Sequence, residues 1–370
     1  MFTVTLYYNL LHNAEQLQTL SQQTSLDEFV RLLKLYLQWP EANFEQVQLF
    51  LAKQNSLPFC PQAEQFSQCW QPSAYQAKQK TIRWIPAFTK PVLPFLEEDI
   101  ALSRQSLLAQ FIQPYSDVAE LLAQREKLPP IQPALLIFHW SRCGSTLLSG
   151  SFMLQPECKV LSESMLISDL LADPYWQPQQ ENMLDLAVRL QGRFRHAEEK
   201  LVIKCNAWDL QHWRVWLKTF PSAQVVCLIR QPEAILASHE KQSGKHMVSL
   251  QPALWHQLPQ NLPLLEYRIK VIQLMADYMQ QILTKKKCKI LTYEQLKQTT
   301  PATLAGLVNI TLTIQQTGHW LERHKFDAKQ RGVPFKAATK TALEVFNTNQ
   351  LEHIRQTLTP VYQNLVELGN

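Results

Sequence analysis

Glycine is scarce in this sequence, with 8 in 370 residues. The few that occur are therefore places where backbone freedom matters. Long apolar runs are missing too. No stretch approaches the ~20 residues that a spanning helix needs, which argues against a helical membrane span. The opening residues, Met1 to Tyr8, carry neither a basic n-region nor a long apolar h-region, so they do not read as a signal peptide. Basic runs are short: none exceeds Lys285-Lys286-Lys287, and the net charge is only +5. That balance suits a small anionic ligand and gives no reason to invoke nucleic acid. The cysteines (Cys60, Cys69, Cys143, Cys158, Cys205, Cys227, Cys288) are odd in number, scattered, and never spaced as CxxC. This favours a reducing cytoplasm over a disulfide framework or a zinc site. The expectation is a soluble cytoplasmic protein without a metal.

What is present begins with an apolar content of 46%, ordinary for a globular chain. A chain this long can bury one large core with an appendage, or two cores. Its most informative stretch runs from Ile131 to Glu163. Ala134 to Phe138 is an apolar run of strand length, followed by His139-Trp140-Ser141-Arg142-Cys143-Gly144-Ser145-Thr146 and a helical stretch from Leu147 to Leu154. A strand, a tight polar loop and a helix form the layout of an anion-binding loop, because the unpaired N–H groups and positive dipole end converge at the helix start. Gly144 allows close backbone approach, Arg142 supplies a permanent charge, and Ser145 and Thr146 supply hydroxyls. The nucleoside-triphosphatase pattern Gly-x4-Gly-Lys-Ser/Thr is not met. His139 replaces its first glycine and Ser145 its lysine, which argues against ATP hydrolysis.

Further strands are expected at Cys158–Glu163, Lys200–Asn206, Gln224–Arg230 and Lys289–Tyr293. Helices are expected near Met183–Phe194, Leu210–Phe220, Pro232–His239, Leu264–Thr284, Ala302–Leu307 and Thr341–Leu368. Alternating strands and helices predict right-handed βαβ crossovers and a mostly parallel sheet, with ligands beyond the carboxyl ends of the strands. The expected class is thus α/β, a three-layer P-loop-type parallel sheet flanked by helices over residues 131–370. Residues 1–130 differ in character. Leu26–Leu37, Glu41–Leu51 and Leu96–Ile112 read as amphipathic helices, Pro58 to Pro94 reads as irregular, and Leu128-Pro129-Pro130 marks a boundary. This is a mainly helical accessory region of unassigned role.

Four charged residues fall at the expected strand ends: Arg142, Glu163, Lys204 and Arg230. With them the chain resembles the sulfotransferases that use 3′-phosphoadenosine 5′-phosphosulfate (PAPS). Ser141 to Leu148 resembles the family's 5′-phosphosulfate loop in its bacterial and protein-tyrosine form, with Cys143 in place of a serine. Ile229-Arg230-Gln231-Pro232 through Ser238 resembles the 3′-phosphate motif, with Gln231 in place of aspartate. Leu291-Thr292-Tyr293-Glu294-Gln295-Leu296 resembles a late Tyr-Glu-x-Leu segment. The resemblance covers about residues 131–335 and implies PAPS as co-substrate. It implies nucleotide contacts from Arg142, Cys143, Gly144, Ser145, Thr146, Leu147, Arg230 and Ser238, and from a late basic loop whose nearest match is Lys329, Arg331 and Gly332. Small-molecule members place a histidine base in a Lys-x-His segment; here Lys204-Cys205-Asn206 keeps the lysine alone. The resemblance therefore implies Glu163 as general base, with Lys204 and Arg142 as the cations at the transferred group. His139 and Trp140 read as core or cleft wall; His239 and His246, past Ser238, read first as solvated loop histidines and second as lining of the acceptor cleft. The acceptor is expected to be a small molecule or peptide, through a hydroxyl in preference to an amine. The alternatives are a kinase with an atypical loop and a non-catalytic nucleotide-binding protein. The first predicts turnover of ATP with Mg²⁺, the second nucleotide binding without transfer.

Overall fold

A computed structural model describes residues 2–248, 255, 257–259, 261–329, 332–334 and 342–369. The chain divides into two compact units, Met1–Ile131 with Ser164–Ala197, and Gln132–Glu163 with Glu198–Asn370. The expected cut after residue 130 thus has a second piece. Ser164–Ala197, read from sequence as part of the α/β domain, groups with the N-terminal unit.

That first unit is not simply helical. Beside its helices it holds an antiparallel sheet ordered β1-β2-β3, from Trp70–Gln76, Thr81–Pro86 and Tyr115–Asp117. The first two strands lie in the span read as irregular on account of its prolines. Pro72 is accommodated where the β1–β2 register shifts, between Pro72 and Ala74. Aromatic packing fills the space beneath: Phe66 stacks on Trp70 and meets Trp84 edge-on at 5.0 Å. The 164–197 excursion belongs here for a polar reason. Gln191 donates to the Pro72 carbonyl at 3.1 Å, Arg195 donates to the Ser67 and Trp70 carbonyls, and Asp173 accepts from the Tyr75 hydroxyl.

The second unit is built on five parallel strands in the order β5-β6-β4-β7-β8. They are β4 Pro133–His139, β5 Cys158–Ser162, β6 Lys200–Lys204, β7 Gln224–Ile229 and β8 Lys289–Thr292. Each apolar run expected as a strand is one. Their residues are buried almost throughout, as a parallel sheet covered on both faces requires. Leu135, Ile137, Val202, Val226 and Leu228 contribute to one core cluster with Phe152 and Trp320. The helices Leu264–Lys285 and Thr348–Gly369 pack together in the same unit. The helix Ile314–Arg323, which brings Trp320 to that cluster, was not read from the sequence. Among the described residues no helix is long and apolar enough to cross a membrane.

Candidate active site

Because all five strands run the same way, their carboxyl ends share one edge of the sheet. Strand order places Glu163, Lys204, the 140–144 loop, Arg230 and Tyr293 along that edge. Register does the fine positioning. Ser162 pairs with Lys204, and the Glu163 N–H donates to the Lys204 carbonyl at 2.8 Å. The two side chains then meet: Lys204 Nζ lies 2.7 Å from Glu163 Oε1 and donates to Thr146 Oγ1 at 3.0 Å. Lys204 is fully buried, so its charge depends on these partners, whereas Glu163 keeps 26% of its side chain exposed. Burial works to raise the Glu163 carboxyl; the charge and hydrogen bond of Lys204 outweigh it and hold the group below the ordinary carboxylate value.

The loop after β4 ends at a helix, Ser145–Met153, whose N-cap is Gly144 with no side-chain hydrogen bond. No side chain covers its positive end, in contrast to the side-chain caps that Asn43, Asp117 and Thr292 give their helices. Gly144 has φ +91°, and a Cβ there would meet Tyr293 Cδ2 at 2.9 Å. Arg142 and Glu163 are non-glycine residues in the left-handed region, with φ 62° and 56°. Such strain is costly for L-residues and gathers at functional positions. Ser145 and Thr146 are buried at the helix start. The Leu147 N–H, expected at the ligand, is taken by the Gly144 carbonyl at 3.0 Å. Cys143 is likewise turned inward: its thiol is wholly buried, burial pushes it up to about 12, and it packs in the core.

Arg230 lies across the loop from Glu163. Its guanidinium donates to the Arg142 carbonyl at 3.1 Å and sits 4.5 Å over the Tyr293 ring. The two expected anion cradles therefore share one edge of the sheet and touch. Ser238 is half-buried on the helix Pro232–Lys241 that starts just after Arg230. Of the late basic loop, Lys329 is the residue whose surroundings bear on the site. Burial, with the charges of Arg142 and Lys204, brings its ammonium down to about 8. Gly332 has nothing within 4 Å of where a Cβ would sit, and Arg331 lies outside the described residues.

Several residues have surroundings that the sequence does not show. His139, read as core or cleft wall, is buried as that reading has it, and its Nε2 is 3.6 Å from Glu163 Oε1 and hydrogen-bonds the Cys205 carbonyl at 2.9 Å. Burial brings it down to about 4, so the ring is neutral near pH 7. Asn206 is a structural cap, its N–H donating to Asp209 Oδ2 at 2.9 Å. His239 and His246, read as solvated, are 1% and 4% exposed. The cause is Arg268, a residue the sequence reading passed over. It is buried on the helix Leu264–Lys285 and donates to the carbonyls of His239 and Met247, to Ser243 Oγ and to Glu240. The available signal was an arginine placed among Val271, Ile272 and Met275 on an otherwise apolar helix face.

The sequence matches no family model and no curated protein. Solved structures do resemble the chain. A sulfotransferase from Alicyclobacillus acidocaldarius is 13% identical with a TM-score of 0.41, over 65% of this chain and 96% of that one. Sulfotransferase STF9 from Mycobacterium avium is 12% identical with a TM-score of 0.43, over 65% and 79%. Mouse sulfotransferase SULT7A1, complexed with PAP, is 11% identical with a TM-score of 0.40, over 67% and 90%. These three similar structures are sulfotransferases, two of bacteria and one of mouse.

Proposed function

We propose that the second unit moves a sulfuryl group from PAPS to a hydroxyl acceptor, with an amine as the less favoured nucleophile. The observation that carries this reading is the buried Lys204 joined to Glu163 at 2.7 Å and to Thr146 at 3.0 Å, at the start of an uncapped loop helix. A carboxylate that can take a proton and a cation that can face a leaving oxygen are thereby held within one contact of an anion cradle.

The donor set fits a ligand with two anionic ends. Ser145 and Thr146 at the positive end of the loop helix, with Arg142, would hold the phosphosulfate, and Arg230 with Ser238 the 3′-phosphate. Lys329, whose ammonium feels Arg142, Lys204 and Glu163, would add charge to the site. PAPS supplies an activated sulfuryl group whose transfer leaves a phosphate oxygen. In the free protein Lys204 lowers the basicity of Glu163. When its ammonium turns toward the leaving oxygen, that restraint is lifted and Glu163 becomes the stronger base for the acceptor's proton. His139 Nε2 lies 3.6 Å from the same Glu163 oxygen, Oε1, that Lys204 contacts. The chemistry is in-line displacement, in which positioning and charge provide most of the rate.

Isothermal titration with adenosine 3′,5′-bisphosphate tests this. Saturable one-to-one binding is expected, and folded protein that gives no binding heat sinks the reading.

A further inference from the structure

The helix Ile314–Arg323 packs against the loop helix Ser145–Met153 and ends in an arginine that the mechanism has not used. Trp320 meets Phe152 edge-on at 5.3 Å, and Ser151 Oγ lies 3.4 Å from His324 Nε2. Arg323 is half-buried at this contact, where a Cβ on Gly150 would stand 3.6 Å from its guanidinium. That guanidinium is directed at backbone. Nη1 donates to the carbonyls of Phe326 at 3.4 Å and Asp327 at 2.9 Å, and Nη2 donates to that of Ala328 at 2.7 Å. Serving three successive carbonyls takes a rigid, planar fork of donors. The carbonyls open a loop that is closed by the Asp327 N–H donating to the Val333 carbonyl at 2.7 Å, and by a bridge between Phe326 and Pro334. The Lys329 N–H donates to Asp327 Oδ1 at 2.7 Å. The peptide unit joining Ala328 to Lys329 is thus held at both ends, its carbonyl by Arg323 and its N–H by Asp327.

Lys329 keeps exposed surface, so an anion can reach it. Crowding around its ammonium and the charges of Arg142 and Lys204 nevertheless bring it down to about 8, and its own charge lowers Glu163 in turn. We propose that Arg323 is a positioning residue, which fixes the Ala328–Lys329 peptide so that Lys329 stands as a third cation with Lys204 and Arg142 at the transferring end of the site. This rests on the sulfuryl-transfer reading above and adds to it a residue that acts only through Lys329. The need for a restraint is electrostatic. Without an anion, like charges push the ammonium away, and a lysine on an unrestrained loop would turn its flexible stem to solvent. The bonds from Arg323, made with a permanent charge, offset the entropy of ordering that loop before the ligand arrives. A bound phosphosulfate then meets a cation already in place.

The test is titration calorimetry of the full chain with adenosine 3′,5′-bisphosphate, on the wild type, Arg323→Met, Lys329→Met and the double variant. Each single change should weaken binding by roughly tenfold at pH 7, the loss of one charged contact. The double variant should bind no more weakly than Lys329→Met, because Arg323 has nothing left to position. A second readout separates positioning from general loosening of the fold. Wild-type affinity should fall between pH 7 and pH 9 as Lys329 gives up its proton near 8, and both single variants should lose that slope. If Arg323→Met does not fold, Arg323→Lys fills the same space without the fork and takes its place in every comparison. Wild-type affinity that stays level from pH 7 to pH 9 overturns the proposal. So does a folded Arg323 variant that keeps both the affinity and the slope, or a double variant whose loss is the product of the two single losses. Failure of the wild-type protein to bind the bisphosphate at all overturns the functional reading instead, and is seen first.

Discussion

Lys204 Nζ lies 2.7 Å from Glu163 Oε1, and of the two side chains only Glu163 has exposed surface. Removing either partner leaves the other in very different circumstances. Glu163→Leu strands a fully buried ammonium and should cost about 3–5 kcal/mol, the range for breaking a buried ion pair. Lys204→Met leaves a carboxylate that water can reach and should cost less. Urea unfolding of both variants checks the order; equal losses would mean that solvent reaches Lys204 after all. Glu163→Gln keeps the shape and a hydrogen-bonding group. It should bind adenosine 3′,5′-bisphosphate as the wild type does and fail to turn over, and an active variant removes Glu163 from the chemistry.

Arg230 makes two contacts that need a flat guanidinium, one to the Arg142 carbonyl and one over the Tyr293 ring. Arg230→Ala should weaken bisphosphate binding by roughly ten- to a hundredfold, about 1.5–3 kcal/mol. Arg230→Lys should recover little, because an ammonium lacks the planar fork. Titration calorimetry on the three proteins decides it; full affinity in the lysine variant would reduce Arg230 to a point charge.

Three buried histidines make the protein acid-sensitive. Burial brings His139 to about 4, His246 to about 3 and His239 to about 2. An unfolded histidine titrates near 6.5, so the unfolded chain takes up protons first as the pH drops. Their contribution to stability is complete above about pH 6.5 and is lost on descending through that value. The slope is about 1.4 kcal/mol per pH unit for each ring. Glu163 adds a separate loss at lower pH. Its depressed carboxyl stabilises the fold above the unfolded value near 4.3, and that contribution disappears as the pH falls through the folded value. Urea midpoints at pH 7.5, 6 and 5 should fall steadily, and His139→Gln should flatten the trend; a midpoint constant to pH 5 contradicts the buried neutral state.

Backbone strain gives a paired test. Gly144→Ala must adopt φ +91° and press a methyl group against Tyr293 Cδ2 and Leu296 Cδ2. The conformation alone costs ~1–2 kcal/mol. At Arg142, φ 62° makes glycine the more comfortable occupant. Arg142→Gly should therefore be more stable than Arg142→Ala by about 1 kcal/mol, read from thermal melts. The reverse order would show that the loop relaxes once the arginine is gone.

The sheet was legible because burial on both faces leaves a strong mark. Runs such as Leu135 to Phe138 and Val225 to Ile229 have few other uses at that length. Glu163, Lys204 and Arg230 were legible through position, each standing where a strand ends. What escaped depended on partners distant in sequence. β1 contains Pro72 and β2 ends in Pro86, residues that speak against strands until the bulge and the hairpin are known. His239 and His246 stand among Glu240, Lys241, Gln242, Ser243 and Lys245, a setting that reads as solvent. Only the helix carrying Arg268 reverses that reading. The placement of Ser164–Ala197 was equally hidden, since its ties to β1 are hydrogen bonds that no periodicity encodes.

The strand order also bears on synthesis. β4 is finished at His139 and β5 at Ser162, yet the two never pair; β6 comes later in the chain and lies between them. A growing chain therefore carries two apolar ribbons with open edges until Lys200–Lys204 has emerged from the ribosome. Chains released before that point can assemble no part of this sheet, and their sticky edges make them substrates for chaperones or seeds of aggregation.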